Sequence, residues 1–139
     1  MIFLSFLLIS SIFLVSAHFA GNAGTFINFD SLIIVLLGIV FSSISLSWGK
    51  VQSLKKGLIQ IFSFSKPEDK DSEVKNIFTG ISISTVTIGL CSSCQGILSG
   101  ILIDNNTPIL KVLSFSSFTT IYALIISIFI FFPVVFRNR

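Results

Sequence analysis

Residues 113–139 have the sequence LSFSSFTTIYALIISIFIFFPVVFRNR, and this segment establishes the class of fold. No residue from 113 to 135 is charged, and Arg137 and Arg139 follow directly. This apolar stretch is longer than the roughly 20 residues that a helix needs to cross the hydrocarbon core of a bilayer. It therefore predicts a membrane-spanning helix.

Three residues distinguish this helix from a span that faces only lipid. Thr119 and Thr120 place adjacent hydroxyl groups near its middle, and Pro133 lies in its last turn. A hydroxyl at membrane depth needs a partner, which is commonly a backbone carbonyl one turn earlier or a neighbouring helix. A proline frees a carbonyl and kinks the helix. These residues predict a helix that contacts other protein.

The composition extends this interpretation to the whole chain. Of its 139 residues, 53% are hydrophobic and 11% are charged, whereas a soluble domain carries about 25% charged residues. The net charge of +3 does not indicate nucleic-acid binding, because the lysines cluster beside apolar spans as the positive-inside rule describes. The sequence predicts a polytopic, all-α membrane protein with a single membrane domain over residues 1–139.

Four apolar stretches predict four transmembrane helices, at about 2–20, 31–49, 77–103 and 109–136. The first is favoured as a retained helix, with His18 as an incidental residue near its outer end. A cleaved signal peptide stays open as an alternative, because residues 15–17 resemble a cleavage site. Asp30 and Ser31 are expected to begin the second helix as an acidic cap.

The segment 50–76 is the only long polar stretch, and it is expected to be a cytoplasmic loop. Its first half predicts a short amphipathic helix at the membrane surface, because apolar residues recur at helical spacing. These residues are Val51, Leu54, Leu58 and Ile61. The alternating charges that follow are most simply a solvated loop. Eight of the nine basic residues lie in this segment or after Phe136, which predicts that both termini face the cytoplasm.

The third span carries small residues along one face. Gly89, Ser93, Gly96 and Gly100 follow one another at i, i+4, i+7 and i+11. Small residues at this spacing allow two helix backbones to approach closely, which is how spans associate in lipid. We expect these glycines to pack helices together, either within one bundle or between subunits.

Cys91 and Cys94 form a CxxC pair in the same span. A zinc site would need two more ligands, and a redox motif would need a soluble fold around it. We therefore expect packing residues here, with no metal and no cofactor. No Asp, Glu, Lys, Arg or His lies in the middle of any span, and no catalytic or nucleotide-binding motif is present. The sequence indicates a protein that is not an enzyme, and any conducted proton would need a carboxylate from another chain.

Three stretches resemble the MotA/TolQ/ExbB proton-channel family, and flagellar MotA in particular. FINFDSLIIVLLG at 26–38 resembles the start of the second span, and GLCSSCQG at 89–96 is similar to the glycine-rich motif of the third. FTTIYALIISIFIFFP at 118–133 resembles the T-T-x-Y and proline pattern of the fourth. The chain departs from the family in lacking the large cytoplasmic domain, the proline near Val86 and the glycine at Ser92.

The resemblance implies an ion-driven channel or stator subunit of the bacterial inner membrane. It implies a ring of five copies around a one-span, MotB-like partner whose aspartate carries the proton. Ser93, Thr119 and Thr120 would then line the pore or face the partner, and Pro133 would shape its cytoplasmic end. Because the family's rotor-facing domain is missing, the alternative is a structural or accessory membrane scaffold that conducts nothing.

Overall fold

The computed structural model describes Ser11 and residues 28–63, 70–103 and 108–139. Within these residues it contains helices and no strand, so the predicted all-helical class is confirmed for this part of the chain. The predicted first span at 2–20, with His18 and the question of cleavage, lies outside the described residues. Residues 104–107, between the predicted third and fourth spans, and residues 64–69, in the middle of the charged loop, lie outside them as well.

The described residues form five α-helices and one π-helical segment. They are α1 (Phe29–Leu46), α2 (Val51–Phe62), α3 (Ser72–Ile103), α4 (Ile109–Ile126), the π segment (Ser127–Phe131) and α5 (Phe132–Arg137). Three helical stretches are long and apolar enough to cross a membrane: Phe29–Leu46, Ser72–Leu102 and Lys111–Arg137. They correspond to the second, third and fourth spans predicted from the sequence.

The start of α1 differs from the prediction. The Asn28 side chain accepts a hydrogen bond from the Ser31 N–H at 3.2 Å, so Asn28 is the cap and the helix begins at Phe29. The prediction of Asp30 as the cap was wrong. Asp30 lies in the first turn instead, where a carboxylate still interacts favourably with the helix dipole. The Asn28 N–H also donates to the Tyr122 hydroxyl at 3.0 Å, which joins the start of α1 to α4.

The helix α2 packs through small residues. Ser53, Gly57 and Ile61 are buried, and a Cβ atom on Gly57 would overlap the ring of Phe78. Glycine and serine carry no hydrophobic signal, which is why apolar periodicity pointed to a different face. Leu54 is partly buried against the apolar core, whereas four other apolar side chains of the helix are exposed: Val51, Leu58, Ile59 and Phe62.

The helix α3 begins five residues before the predicted start of the third span. The Asp71 carboxylate accepts hydrogen bonds from the N–H groups of Glu73, at 3.0 Å, and Val74, at 3.2 Å, and thereby caps the helix. Residues 72–76 are therefore helical, and their assignment to a solvated loop was wrong. The 32 residues of α3 span about 48 Å, whereas the hydrocarbon core is about 30 Å thick. One end of α3 must therefore extend beyond the hydrocarbon.

The apolar core lies at the end where α2, the start of α3 and α5 meet, which we call the charged end. Its buried members are Ile61, Val74, Ile77, Phe78, Ile81, Phe131 and Val134. The rings of Phe78 and Phe131 form an edge-to-face pair with centroids 6.0 Å apart, an arrangement that aromatic pairs favour. This core holds the last turn of the chain against α3.

Polar contacts close the charged end. The buried Asn138 amide donates to the Val134 carbonyl at 2.8 Å and to the Gln60 side chain at 2.6 Å, and its oxygen accepts from the Asp71 N–H at 3.3 Å. One side chain thus joins α2, the cap of α3 and the end of α5. Arg137 adds a hydrogen bond to the Gln60 carbonyl at 3.0 Å, near the C-terminal end of α2.

Two ion pairs lie on the same end. Lys50 and Glu73 approach to 3.0 Å, and Lys56 and Asp71 to 3.3 Å. The Ser53 hydroxyl also donates to Glu73 at 2.5 Å. Exposed pairs of this kind contribute little to stability, because water and salt screen the attraction between the charges. Their main effect is to place the lysine-rich helix α2 beside the acidic first turn of α3.

Pro133 is accommodated by the π segment. Proline has no N–H, so an α-helix would leave the carbonyl four residues earlier without a partner. The chain instead forms wider i→i+5 turns from Ser127 to Phe131, with the Phe132 N–H bonded to the Ser127 carbonyl. Such turns occur inside otherwise regular α-helices. The helix then continues to Arg137, so the proline does not end it.

Acid should weaken the cap of α3. Hydrogen bonding from the Val74 N–H, with further contributions from Glu73 N–H and Lys56, holds the pKa of Asp71 below its usual value of 3.8, although partial burial opposes this. Because the pKa of Asp71 is lower in the folded than in the unfolded protein, its ionised carboxylate stabilises the fold at pH values above the usual pKa of 3.8. This stabilisation is lost as the pH falls through the lowered pKa of the folded protein. We expect detergent-solubilised protein to unfold at lower temperature at pH 3 than at pH 6. The matched control is Asp71→Asn, which keeps a capping oxygen but does not titrate; an equal acid-dependent loss in both proteins would contradict the assignment.

Candidate functional site

The small residues of α3 face α4 along most of their shared length. A Cβ atom added to Gly89 would lie 2.5 Å from the Cβ of Ala123, and one added to Gly96 would lie 2.7 Å from the Ser116 hydroxyl. At Gly100 an added Cβ would overlap Val112. The structure thus places all three glycines at close contacts between α3 and α4, within one chain.

Ser93 and Thr120 form the first hydroxyl contact across this pair of helices. The Ser93 hydroxyl donates to the Ser116 carbonyl at 2.5 Å and lies 2.7 Å from the Thr120 hydroxyl. Thr120 in turn donates to the Gly89 carbonyl at 3.2 Å. Ser93 is only 7% exposed. Two residues predicted independently as site residues therefore meet, and Gly89 provides both the space and the acceptor.

Thr119 is directed to a different helix. Its hydroxyl donates to the Ser31 hydroxyl of α1 at 2.9 Å, and both side chains are buried. Adjacent residues on a helix point about 100° apart, so the Thr119–Thr120 pair joins α4 to α1 and α3 at one level of the bundle.

Ser82 and Ser127 form a third contact, nearer the charged end. Their hydroxyl oxygens are hydrogen bonded, and Ser127 also lies 3.3 Å from the Ser82 carbonyl. Neither residue is among the site residues predicted from the sequence, and Ser31 is not among them either. A signal was present, because Ser82, Gly89 and Gly96 recur every seven residues on α3. The Ser47 hydroxyl, in contrast, donates to the Ser43 carbonyl one turn earlier, at the end of α1.

The hydroxyl groups at these contacts satisfy one another. Among the described residues, no buried side-chain nitrogen or oxygen lacks a hydrogen-bond partner. A neutral hydroxyl can donate and accept, but it does not hold a proton at neutral pH. We call the set Ser31, Ser82, Ser93, Thr119, Thr120 and Ser127 the hydroxyl network. It consists of three separate pairs of neutral hydroxyl groups inside an apolar bundle, Ser31–Thr119, Ser93–Thr120 and Ser82–Ser127.

Pro133 lies apart from this network. It follows the π segment in α5, close to the charged end, and its side chain is half-buried. The structure therefore brings Ser93, Thr119 and Thr120 to one level of the bundle and leaves Pro133 at another. Pro133 can therefore affect Ser93, Thr119 and Thr120 only by changing the direction of the helix that carries it.

The cysteine pair lies on the opposite side of α3. Cys91 and Cys94 are exposed and form no disulfide. In the part of the chain that the structure describes, no group of three or more His, Cys, Asp or Glu side chains is placed to hold a metal ion. The hydroxyl network is the candidate site on geometric grounds.

Comparison with family models, with curated proteins and with solved structures found no match to this chain. The resemblance to proton-channel subunits therefore depends on the three sequence stretches alone. The three apolar helices support membrane-helix character.

Proposed function

We propose that this chain is a MotA-like subunit of a proton-driven channel or stator complex in the bacterial inner membrane. It would surround a helix of a one-span partner that carries an acidic residue, and it has no enzymatic activity in this proposal. The observation that carries the proposal is the Ser93–Thr120 contact at Gly89. Two motifs that resemble the family's third and fourth spans meet there, at one level of the bundle.

The hydroxyl groups support this proposal through their position and their chemistry. The hydroxyl network supplies polar groups at membrane depth without any titratable group of its own. Such groups can pass a proton or position a water, whereas the charge must be held by a carboxylate in another chain. Because Ser93 and Thr120 are paired within the chain, conduction would require them to exchange partners. Each hydroxyl also bonds to a backbone carbonyl, Ser93 to that of Ser116 and Thr120 to that of Gly89, so the bond that would have to break is the one between the two hydroxyls.

Composition of the purified complex is the decisive test. The tagged chain would be purified in mild detergent and weighed by native mass spectrometry. Five copies with two copies of a one-span, aspartate-bearing partner are expected. An oligomer without an acidic partner would overturn the channel proposal, because this proposal assigns the proton-carrying carboxylate to the partner.

Removing the Thr120 hydroxyl should impair conduction while the protein stays in the membrane. Thr120→Val keeps the shape of the side chain but loses its bonds to Ser93 and Gly89. Losing about 1–1.5 kcal/mol of hydrogen bonding in a rate-limiting state corresponds to roughly a tenfold decrease in rate. The measurement is proton uptake by vesicles that contain the chain and its co-purified partner.

Two controls accompany this variant. Thr120→Ser retains the hydroxyl and should retain most of the uptake. Ser117→Ala removes an exposed hydroxyl that bonds only to the Leu113 carbonyl of its own helix, and it should have no effect. Full uptake by Thr120→Val would count against a role of this hydroxyl in the ion path.

A structural scaffold that conducts nothing is the second candidate. The observation in its favour is that, in the described residues, every buried side-chain nitrogen and oxygen has a hydrogen-bond partner. Hydroxyl groups that only hold helices together would be paired in the same way. A scaffold should keep its complex intact when Thr119 or Thr120 is replaced by valine. It should lose the complex when Gly96 or Gly100 carries a bulky side chain. The uptake and composition measurements above separate the two candidates.

A further inference from the structure

The helix α2 exposes a row of apolar side chains that does not pack on the bundle. Val51, Leu58 and Phe62 follow one another at steps of seven and four residues, which places them on one side of the helix. All three are exposed, and Phe62 is 62% accessible. The face that packs on α3 is centred on Gly57, about 120° away around the helix axis. We call these three exposed residues the apolar stripe.

The depth of α2 relative to the bilayer follows from its contacts with α3. The 18 residues of α1 extend about 27 Å, close to the thickness of the hydrocarbon core, so Leu46 at its end marks one boundary of that core. Leu46 lies beside Gly80 of α3, because a Cβ added to Gly80 would lie 2.9 Å from its side chain. The helix α2 contacts Glu73 and Phe78, which lie about 3–10 Å beyond Gly80 along α3. This depth overlaps the headgroup layer of the membrane.

The helix α2 lies across the end of α3 and not along it. Near the start of α2, the Ser53 hydroxyl donates to Glu73. Near its end, the Gln60 side chain is bonded through Asn138 to the Asp71 N–H. Contacts that lie seven residues apart on α2 thus meet residues that are two positions apart on α3. A helix that ran along α3 would not do so, and α2 therefore lies close to the plane of the membrane.

The two flanks of α2 contact α3 at different depths. One flank carries Ser53 and Lys56, which bond to Glu73 and Asp71 in the part of α3 farthest from the hydrocarbon. The other flank carries Leu54, which packs against the apolar core nearer to the hydrocarbon. The apolar stripe adjoins Leu54 on the helix surface. It therefore faces the bilayer, whereas the polar flank faces away from it.

Positive charge surrounds the apolar stripe. Residues 50–76 and 137–139 contain eight basic and four acidic residues, which leaves an excess of four positive charges. The two ion pairs of this end involve other lysines, and Lys55, exposed beside the stripe, forms none among the described residues. Trp48 directly precedes α2 and is 83% exposed. Tryptophan and lysine are residues that favour the interface between membrane and water.

The sequences of the other parts of the chain do not match this surface. Residues 1–27 contain no acidic residue that could pair with Lys55. Residues 64–69 contain two acidic residues but only one large apolar side chain, Phe64, against the three of the stripe. Residues 104–107 follow the opposite end of α3. A second copy of the charged end would bring like charges together, which is unfavourable.

We propose that the apolar stripe and Lys55 bind anionic phospholipid of the surrounding bilayer. The stripe contacts the first carbons of the acyl chains, and the Lys55 ammonium group reaches the lipid phosphate. The sequence analysis placed Leu54 and Ile61 on the membrane-facing side of this helix. The structure uses both residues against the apolar core and leaves Phe62 and Lys55 for the lipid.

This contact with lipid requires no symmetry between copies of the chain. It is compatible with any number of subunits around a partner helix, and it does not depend on whether the assembly conducts ions. Failure of the channel proposal would appear in the subunit composition, whereas failure of the lipid proposal would appear in the measurements below.

Tryptophan fluorescence locates the apolar stripe. Trp48 is the only tryptophan of the chain, so Trp48→Phe provides a background for single probes in the full-length protein, reconstituted in phospholipid vesicles. In this background, Phe62→Trp places a probe on the stripe and Gln52→Trp places one on the polar flank. Lipids brominated near the carboxyl end of their acyl chains should quench the probe at position 62. Aqueous acrylamide should quench the probe at position 52 instead.

The natural Trp48 measures the preference for anionic lipid. Its quenching in mixtures of brominated phosphatidylglycerol and ordinary phosphatidylcholine gives the relative affinity of the two lipids. Phosphatidylglycerol should be preferred, and Lys55→Gln should lower its relative affinity by about fivefold, as expected for one lysine at an anionic surface. The matched control is Lys56→Gln, which removes the same charge from the polar flank. It should lower the relative affinity by less than about twofold, because salt screens the more distant charge.

Three results would overturn the lipid proposal. Equal quenching by acrylamide at positions 62 and 52 would place the stripe in water. Protection of the probe at position 62 from both quenchers would show that protein covers the stripe. Equal effects of Lys55→Gln and Lys56→Gln on the relative affinity, or no effect of either, would show that Lys55 binds no lipid phosphate.

Discussion

Replacing Gly89 by leucine is expected to force α3 and α4 apart and to abolish most of the folded protein. A Cβ at this position would lie 2.5 Å from the Ala123 Cβ, 3.1 Å from the Thr119 carbonyl oxygen and 3.3 Å from the Thr120 Cα. Two of these three atoms belong to the backbone of α4, which cannot move without shifting the helix. Even Gly89→Ala should destabilise by about 1–3 kcal/mol, and leucine should exceed that range.

The helix shift also has a chemical consequence. Gly89 supplies the carbonyl that accepts from Thr120, so separating the helices would leave that hydroxyl and Ser93 without their present partners. Unfolding in mixed micelles, followed by near-ultraviolet circular dichroism, measures the loss. Hydrogen exchange of the α3 and α4 amides in nanodiscs locates it.

The matched control is Gly80→Ala, also on α3. An added Cβ there meets only the end of the flexible Leu46 side chain, at 2.9 Å from its nearest methyl group. We expect a change within about 1 kcal/mol, smaller than for Gly89→Ala. If Gly89→Leu retained the unfolding midpoint and the exchange pattern of the natural sequence, the close contact between α3 and α4 would be wrong.

Replacing Phe78 by alanine is expected to release α2 and α5 from the charged end. Phe78 is fully buried, stacks edge to face on Phe131 and fills the space that Gly57 leaves. Counting roughly 20 residues back from Ile103 places Phe78 beyond the hydrocarbon. Folding therefore removes the Phe78 side chain from water and not from lipid. Its replacement by alanine should lower the free energy of unfolding by about 3–5 kcal/mol.

A double-mutant cycle tests the contact between Phe78 and Gly57. Gly57→Ala should destabilise the natural sequence, because the added Cβ overlaps the ring, but it should be nearly neutral when Phe78 is already alanine. The expected coupling is about 0.5–3 kcal/mol. Val51→Ala, at a residue of α2 that is 66% exposed, is the control and should change stability by less than about 0.5 kcal/mol. Additive effects at 57 and 78 would contradict the packing of α2 on α3.

The length and apolarity of the spans made the helical class predictable from the sequence. Runs without charge over 113–135 allow few structures in lipid other than a helix, because every backbone group must be bonded within the segment. The positions where prediction failed are those where short-range and long-range contacts compete. At the start of α3, the charges of Glu73 and Lys75 indicated a loop, yet the Asp71 cap and the Lys50 ion pair make it helical.

The candidate site was predictable in its residue types but not in its pairing. Adjacent hydroxyls in an apolar span, as at Thr119 and Thr120, indicate that partners exist. Which helix supplies each partner depends on how neighbouring helices are rotated and aligned against one another. The residues around each hydroxyl do not show this in a single sequence. Ser31 therefore went unnoticed as the partner of Thr119.

The π segment determines the direction in which the end of the chain faces. Ala123, Ser127 and Phe131 are all buried, at successive steps of four residues. In a regular α-helix each step of four rotates the side chain by about 40°, so two steps would turn Phe131 about 80° from the position of Ala123. The wider turns between Ser127 and Phe131 cancel this drift.

The number of residues in this segment therefore matters as much as their chemistry. A chain shorter by one residue there could form an ordinary α-helix and still direct Phe131 to within about 20° of its present orientation. With the present number of residues, an ordinary α-helix would rotate everything after the segment by about 80°. Phe131 would leave the ring of Phe78, and Asn138 would leave Gln60 and Asp71. The π segment corrects the rotation of side chains about the helix axis. One continuous helix can therefore contact one set of neighbours within the bilayer and another set at the charged end.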